Sequence, residues 1–326
     1  MAKQKGAAAS VQPVGVKSGR FQKLKREFKR DRQLWIVSIL ALAFMIVFYL
    51  LPMLGNYMAF IMAFIDYKVR KGFFGSEFVG LKYFKQFFSL PDVWLVIRNT
   101  LVMGGLNITI GFVASIILAL MLNELRFKTM KRVLQTVSYL PHFVSWVVVA
   151  SLAMSLFSTD GIVNEVLINM GLLEEPVNIV TKGDTYWIFI TALNIWKTMG
   201  WSSIIYMSAM AGIDQELYQA GAVDGLGRWG MVWHITIPGI SSTIIMLFIL
   251  GVGGIINGGF EQHLLLGSAT TREFYETIDT YVYRYGLEMG QYSFGTAVGL
   301  FKGLIAVVLL VITNWISRRF SDTAVF

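Results

Sequence analysis

The sequence predicts an all-α membrane protein with six transmembrane helices and both termini in the cytoplasm. Of its 326 residues, 55% are hydrophobic and only 15% are charged, whereas a soluble domain of this length carries more charge on its surface. Six apolar runs reach the length of about 20 residues that a helix needs to cross a bilayer core of about 30 Å. These runs are 34–57, 100–122, 133–157, 186–213, 239–259 and 293–316.

The first run is expected to be a retained span, because no small-residue cleavage site follows it. Orientation follows from the Lys and Arg residues, which membrane proteins keep on the cytoplasmic side. They are concentrated in the tail 1–33, in the short loop 126–132 and after the last run. This distribution places the loop 214–238, between the fourth and fifth runs, in the cytoplasm as well. The apolar runs and the basic residues together divide the chain into a basic tail 1–33, a six-helix domain 34–320 and a short tail 321–326.

The basic tail carries Phe21, Leu24 and Phe28 at the spacing of one helical face. This pattern predicts an amphipathic helix lying on anionic lipid, or else a solvated basic segment that only helps to set orientation.

Several classes of function are excluded by composition. The net charge of +8 lies beside apolar runs, which is the pattern of topology control and argues against nucleic-acid binding. Cysteine is absent, and the sequence holds no nucleotide-binding GxxxxGK[ST] loop, HExxH or GxSxG motif. No catalytic residue, metal site or cofactor is therefore predicted for this chain, and energy for transport would have to come from a partner.

The fourth run contains a lysine, Lys197, in the segment NIWKTMGW, beside tryptophans and Asn194. Ionisable groups inside a membrane are costly and are usually functional. Lys197 therefore either lines a ligand path, with Trp201 covering apolar sugar faces, or pairs with a backbone carbonyl or a neighbouring helix for assembly. A second intramembrane cation, Lys302, has the same two interpretations.

Two further segments place polar groups at helix irregularities. His142 follows Pro141 in the third run and faces the same way as Trp146 one turn later; it is either a packed polar residue or part of a binding site. The fifth run has five glycines within 251–259, which predicts close helix approach or an irregular backbone. Asn257 then lines an opening or caps the helix end.

The loop 214–238 contrasts with the apolar runs around it. Residues 216–223 are predicted to be helical, Asp224-Gly225 is a turn signal, and a second apolar helical segment leads to Pro238. Its tryptophans, Trp229 and Trp233, either anchor the loop to lipid or fix it to the helix bundle.

The segment YQAGAVDGLGRWGMVWHITIPGI resembles the cytoplasmic coupling motif, or EAA loop, of permease subunits of ATP-binding-cassette importers. The Glu-Ala-Ala of that motif matches Gln219, Ala220 and Gly221, and its Asp-Gly matches Asp224 and Gly225. Its closing proline matches Pro238. Gln219 departs from the glutamate of the motif, and Glu216 lies close enough to supply the missing charge. Ala220 and Gly221 are expected to keep the docking face small.

Other segments, among them YLPHFVSWVVV and NGGFEQHLLL, are similar to the carbohydrate-uptake branch of these permeases, and specifically to the subgroup that serves complex oligosaccharides. The resemblance implies a substrate path made by three spans. The positions that match are His142, Trp146, Asn194, Lys197, Thr198, Trp201 and Asn257.

The resemblance also implies the partners. They are a second homologous permease, a cytoplasmic ATPase dimer that binds ATP and Mg, an extracytoplasmic solute-binding protein and an oligosaccharide substrate, in a bacterial cytoplasmic membrane. ATPase closure would move the coupling helix and switch the bundle from inward-open to outward-open. The alternative is a subunit of an ATP-independent channel or secondary carrier, in which the loop is an ordinary connector. A membrane-embedded enzyme would need a cluster of His, Asp or Glu near one interface, which the sequence does not offer.

Overall fold

The computed structural model describes residues 32–50, Met53 and 59–320. The predicted amphipathic helix with Phe21, Leu24 and Phe28 and the tail 321–326 lie outside the described residues. The chain divides between Ala59 and Phe60 into two units. The first contains helix α1, Arg32–Met45, which continues as a wider π-helical turn, Ile46–Leu50. Its described side chains from 35 onward are exposed and mostly apolar, which is typical of a helix that is covered by lipid or by another protein.

The second unit is almost entirely helical. It opens with a 3₁₀ turn and a two-stranded antiparallel hairpin, in which Ile65 pairs with Phe78 and Asp66 with Glu77. Bounds of the first half are Met62–Phe64 (3₁₀), Ile65–Asp66 (β1), Glu77–Phe78 (β2), Lys82–Ser89 (α2), Val93–Leu106 (α3), Asn107–Gly111 (π), Phe112–Asn123 (α4), Lys128–Tyr139 (α5), Leu140–Phe143 (3₁₀), Trp146–Phe157 (α6) and Ile162–Asn169 (α7).

The second half contains the longest helices. Its bounds are Gly183–Ala211 (α8), Gln215–Val223 (α9), Arg228–Met231 (α10), Val232–Thr236 (π), Ile237–Gly239 (α11), Ser241–Gly253 (α12), Phe260–Leu266 (α13), Ala269–Thr271 (3₁₀), Arg272–Tyr275 (α14), Ile278–Val282 (α15), Tyr283–Glu288 (π) and Tyr292–Phe320 (α16).

Among the described residues, three helices are long and apolar enough to cross a membrane: Val93–Asn123, Trp146–Asn169 and Tyr292–Ile316. A fourth candidate is the pair Arg228–Gly239 and Ser241–Gly253, which is bent by 62°. Helix α8 has 29 residues and so spans about 44 Å at a rise of 1.5 Å per residue, but its sequence is interrupted by polar groups. The prediction of a helical membrane protein is thus confirmed, whereas the number of spans stays a prediction.

Two predicted spans differ from the structure. The run 133–157 is not one helix, because the backbone leaves the α-helical path between α5 and α6. Pro141 has no N–H to continue the helix, and Ser145 starts α6 by accepting a hydrogen bond from the Val148 N–H at 3.4 Å. The run 239–259 also breaks: α12 ends at Gly253, and 254–259 is irregular up to Gly259, whose φ is +87°.

The buried side chains of the second unit form three clusters. One joins Phe87 of α2 and Tyr281 of α15 to the start of α16, a second surrounds Tyr186 of α8, and a third packs the end of α8 against α4 and Ile240. Helix α8 contributes to two of them. It is therefore the central helix against which the polar positions of the neighbouring helices are arranged.

The hairpin is attached to the last long helix. Ser293 Oγ donates to the Ile65 carbonyl at 2.7 Å and accepts from the Tyr67 N–H at 2.9 Å. Tyr83 of α2 donates to Asp66 at 2.7 Å. Burial, together with this bond to a carboxylate, raises the pKa of Tyr83 to about 12, so Tyr83 stays a hydrogen-bond donor at neutral pH.

Candidate functional site

A cavity of about 300 Å³ lies between α8, α12 and the helical stretch from α3 to α4. Its polar lining comes from Asn107, Ser115, Asn194, Thr198, Ser202 and Asn257. Phe112, Tyr206, Ile205, Ile108, Ile255 and Leu247 supply apolar walls. None of the described residues that line it is charged. A cavity of this kind offers amide and hydroxyl hydrogen bonds beside apolar surface, which suits a ligand rich in hydroxyl groups.

Three of the predicted substrate-path residues, Asn194, Thr198 and Asn257, line this cavity. Asn194 and Thr198 are one helical turn apart, so they share one face of α8. The Asn194 amide donates to Asn107 Oδ1 at 2.9 Å. Asn107 was not predicted as a site residue. The sequence feature that could have indicated it is an amide side chain inside the apolar run 100–122. Asn107 lies at the start of the π-helical turn that separates α3 from α4.

Glycines allow the helices around the cavity to approach closely. A Cβ atom on Gly104 would lie 2.0 Å from the Ile255 carbonyl oxygen, while one on the adjacent Gly105 would meet nothing within 4 Å. Gly104 therefore lets α3 contact the irregular stretch 254–259 directly. The predicted irregular backbone is confirmed, and Asn257 is exposed toward the cavity.

A buried histidine holds the irregular stretch in place. His263 Nε2 lies 3.0 Å from the Gly258 carbonyl, and Nδ1 lies 3.1 Å from the Tyr186 hydroxyl. Because the carbonyl can only accept, Nε2 carries the proton and Nδ1 accepts from Tyr186. The sequence pattern does not single out His263, because one partner, Tyr186, is 77 residues away and the other is a backbone carbonyl, that of Gly258.

The other four predicted substrate-path residues do not line the cavity and form a second cluster. Lys197 and Trp201 of this cluster lie beside Asn194 and Thr198 on the same face of α8. Lys197 is only 7% exposed. Its Nζ donates to the carbonyls of His142 at 2.7 Å and Val144 at 2.6 Å, and lies 3.4 Å from that of Pro141. It also lies 5.8 Å from the centre of the Trp146 ring. Of the two interpretations of Lys197, the observed contacts match pairing with backbone carbonyls.

The carbonyls that Lys197 contacts are those exposed by the break between α5 and α6. A helix ends with unpaired carbonyls and a partial negative charge, so an ammonium group is the natural partner for that end. Gly200, one turn along α8, faces the same break: a Cβ there would lie 1.9 Å from the Ser138 carbonyl oxygen. Lys197 and Gly200 together fix where α8 meets the broken helix.

His142 and Trp201 stack on one another. Their ring centres are 4.6 Å apart and their planes differ by 4°. Trp201 is 45% exposed, and His142 Nδ1 is buried without a hydrogen-bond partner among the described residues. The stack offers a flat aromatic surface, as predicted for a sugar-binding face, but neither ring is part of the cavity lining.

The loop 214–238 folds into two short helices joined by a tight turn. Asp214 Oδ1 accepts from the Glu216 N–H at 2.9 Å and caps α9. At the other end, the Leu226 N–H donates to the Gly221 carbonyl and the Gly225 N–H to that of Ala222. This is a Schellman motif with Gly225 at its left-handed position, φ +81°. The predicted turn at Gly225 is therefore present.

Two expectations about this loop are wrong. Trp229 and Trp233 do not fix it to the bundle, because they are 78% and 64% exposed. Val232 and Thr236 of the same helical segment are buried instead. Gly221 is buried against Ile235 and does not belong to an exposed face; a Cβ there would lie 2.8 Å from Ile235 Cδ1. The two tryptophans, Val232 and Thr236 are neighbours on one helical stripe, and the tryptophans occupy its exposed edge where α10 meets the π-helical turn Val232–Thr236.

The remaining coupling residues of the loop are exposed: Glu216, Gln219, Ala220, Asp224 and Pro238. The loop is held to itself by Tyr218, whose hydroxyl lies 3.0 Å from Thr236 Oγ1. Its outer surface thus combines three carboxylates, those of Asp214, Glu216 and Asp224, with two indole rings on a fixed backbone.

Some charged groups outside these sites form ion pairs with each other. Lys302 forms an ion pair with Asp279, and Arg284 with the buried Glu276, so the second intramembrane cation also has a structural partner. Within the part of the chain that the structure describes, no group of three His, Cys, Asp or Glu side chains could hold a metal ion.

Residues 111–322 match the family model of the binding-protein-dependent transport system inner membrane component. Over 299 residues the chain is 42% identical to Protein LplB of Bacillus subtilis (strain 168), covering 91% of this chain and 92% of that protein. It is 38% identical over 320 residues to the polygalacturonan/rhamnogalacturonan transport system permease protein YteP of the same organism, covering 98% of each.

A solved structure is similar over most of the chain. It is a chain of a bacterial alginate ABC transporter in complex with an alginate pentasaccharide-bound periplasmic protein. The similarity has a TM-score of 0.80 and 35% sequence identity, and covers 93% of this chain and 100% of that one.

Proposed function

Because the chain belongs to the family of binding-protein-dependent transport system inner membrane components, we propose that it is the permease subunit of an ATP-driven importer and forms half of the path for an oligosaccharide. The observation that carries this proposal is the loop 214–238. A capped helix, a Schellman turn and a second helix form a compact unit with an exposed outer face. Such a unit can transmit a push from a partner without deforming.

The exposed face of this loop is the proposed docking site for a cytoplasmic ATPase subunit. Glu216 and Asp224 would supply charge, Gln219 and Ala220 the helix surface, and Trp229 and Trp233 large apolar anchors of the kind that dominate protein interfaces. Gly221, Gly225 and Pro238 would act by shape, because they set the packing and the direction of the backbone.

The proposed topology has six transmembrane helices and both termini in the cytoplasm. Three described helices and the bent pair support four spans. The apolar helix Trp35–Leu50 and the 29-residue α8 supply the other two. The tail 1–33, the six-helix domain 34–320 and the tail 321–326 keep their predicted roles in a multi-pass protein of a bacterial cytoplasmic membrane.

The proposed substrate path contains both polar regions beside α8. Asn194, Thr198 and Asn257 would bind sugar hydroxyls in the cavity, whereas the His142–Trp201 stack and Trp146 would offer aromatic faces. Lys197 would act in this path by holding the carbonyls of the helix break. YteP is named for the transport of polygalacturonan and rhamnogalacturonan, and a similar solved transporter is named for the import of the acidic polysaccharide alginate. Both names support a saccharide polymer or oligosaccharide as substrate.

The proposed partners are a second homologous permease, an ATPase dimer that binds ATP and Mg, and an extracytoplasmic solute-binding protein. This chain would have no catalytic role of its own. An ATP-independent channel or carrier is not favoured, because the similar proteins are permeases of ABC transporters.

The turn glycine provides the test. We expect Gly225→Val to leave membrane insertion intact but to reduce copurification of the ATPase and uncouple ATP hydrolysis from uptake, because a β-branched residue is strained at φ +81°. Gly227→Val is the matched control, since Gly227 has φ −73° and open space around it. Unchanged uptake and unchanged ATPase copurification in Gly225→Val would contradict the coupling role.

A further inference from the structure

The hairpin loop between β1 and β2 exposes large apolar side chains. Phe74 at its tip is 96% exposed, and Phe78 and Val69 are 74% and 70% exposed. Leu81, directly after the hairpin, is also exposed. We refer to residues 68–82, which carry these apolar side chains and several basic ones, as the hairpin patch. Apolar exposure concentrated in one short loop indicates a surface that is covered in the working protein.

The loop that carries Phe74 is held by internal hydrogen bonds. The Lys68 N–H donates to Ser76 Oγ at 3.2 Å, Ser76 Oγ donates to the Gly72 carbonyl at 2.6 Å, and the Gly72 N–H donates to the Lys68 carbonyl at 3.0 Å. Gly72 takes a left-handed conformation, φ +66°. The exposure of Phe74 is therefore a property of a defined turn.

The hairpin lies at one end of the last membrane span. Ser293 binds both Ile65 and Tyr67, as described above, and the Tyr67 ring meets the Tyr292 ring edge-on with 6.2 Å between centres. The 25-residue span that begins at Tyr292 is about 37 Å long, slightly more than a hydrocarbon core of about 30 Å. Tyr292, and with it the hairpin, therefore falls at the level of the lipid headgroups.

The hairpin patch is also basic. Lys68, Arg70, Lys71 and Lys82 are exposed, against one exposed acid, Glu77. Of these cations only Lys68 has a carboxylate partner among the described residues, Asp66 at 3.5 Å. The sequence predicts an outward-facing loop here, where membrane proteins usually carry few Lys and Arg residues. A basic loop in that place therefore calls for an anionic partner.

We propose that the hairpin patch binds the membrane surface, with Phe74 inserted among the headgroups and Arg70 and Lys71 holding the phosphates of anionic phospholipids. Aromatic rings beside Lys or Arg at the edge of a span are the groups that anchor proteins at this depth. The apolar tip favours lipid over a soluble acidic partner. The patch would fix the depth of the last span while the rest of the bundle moves.

A single label can test this, because the chain has no cysteine of its own. The Phe74→Cys variant is assembled into the transporter with partners whose cysteines have been replaced, and its single cysteine is labelled with bimane. The labelled transporter is then reconstituted into phosphatidylcholine vesicles with and without phosphatidylglycerol. We expect quenching by doxyl-labelled lipid and protection from aqueous iodide. Glu174→Cys, exposed in the predicted outer loop between the third and fourth runs, is the matched control and is expected to be quenched by iodide.

The charged part of the proposal has its own readout. The measured quantity is the ratio of quenching of the Phe74→Cys label by doxyl phosphatidylglycerol to quenching by doxyl phosphatidylcholine. This ratio should fall about fivefold in Arg70→Ala and in Lys71→Ala, because each cation near an anionic surface contributes about that factor to binding. Lys182→Ala, in another exposed loop, should leave it unchanged. Iodide quenching equal to that of the Glu174→Cys label would overturn the proposal. Protection that appears only after a solute-binding protein is added would replace lipid by that protein as the partner.

Discussion

Replacing Lys197 by methionine separates its two proposed roles. Methionine keeps the length and apolar stem of the side chain but removes the donors to the His142 and Val144 carbonyls, at 2.7 and 2.6 Å. A hydrogen bond from a charged donor contributes about 1.5–3 kcal/mol in soluble proteins, while polar contacts within membranes average about 0.6 kcal/mol. Two short bonds therefore predict a loss of about 1–6 kcal/mol in the free energy of unfolding, between the membrane average and the soluble-protein value for two bonds.

The assay is unfolding of the purified transporter in mixed micelles, followed together with uptake of an acidic and a neutral oligosaccharide of equal length. If Lys197 holds the helix break, Lys197→Met should lower stability and reduce both uptake rates by the same factor. Lys182→Met is the control, because Lys182 is exposed before α8, and it should change neither quantity.

The opposite pattern would refute this reasoning. Unchanged stability with loss of acidic-sugar uptake alone would mean that Lys197 binds a substrate carboxylate during transport. In that case the contacts with the carbonyls of His142 and Val144 would be a resting arrangement that the substrate displaces.

Two further predictions concern the cavity. Gly104→Ala should destabilise the protein by about 1–3 kcal/mol through overpacking, because its Cβ would meet the Ile255 carbonyl oxygen, whereas Gly105→Ala should be nearly neutral; equal unfolding midpoints for the two variants would contradict the close approach. In a double-mutant cycle on uptake, Asn107→Ala and Asn194→Ala should each raise the substrate KM and together cost less than the sum of their separate effects, since they share one 2.9 Å hydrogen bond. Strict additivity would show that the two amides act independently.

Several features of the fold could be predicted from residue patterns alone. The apolar runs predicted a helical membrane protein because lipid requires every backbone group to be bonded within its own segment. Asp224-Gly225 predicted the turn because glycine readily adopts the left-handed conformation that ends a helix. Five glycines within 251–259 predicted the irregular backbone that is found there.

Other expectations failed because they depend on which face of a helix is inward. Of the two interpretations of Trp229 and Trp233, contact with the bundle is not observed, and Val232 and Thr236 are buried there instead. The spacing puts all four positions on one broad helical stripe, and it does not determine which edge of that stripe is buried. The predicted substrate path shows the same limit, because its four positions on α8 share one face but have different partners. Asn194 and Thr198 line the cavity, whereas Lys197 and Trp201 contact the broken helix.

The sequence by itself determined the membrane class, the resemblance of the loop 214–238 to a coupling motif and local irregularity at Pro141 and within 251–259, because hydropathy, glycine and proline act locally. Only the tertiary structure decided what the polar groups contact. Lys197 meets carbonyls more than 50 residues away, and Asn107 meets Asn194 across 87 residues. Such partners are set by how the helices pack, and packing depends on the shapes of all the helices at once.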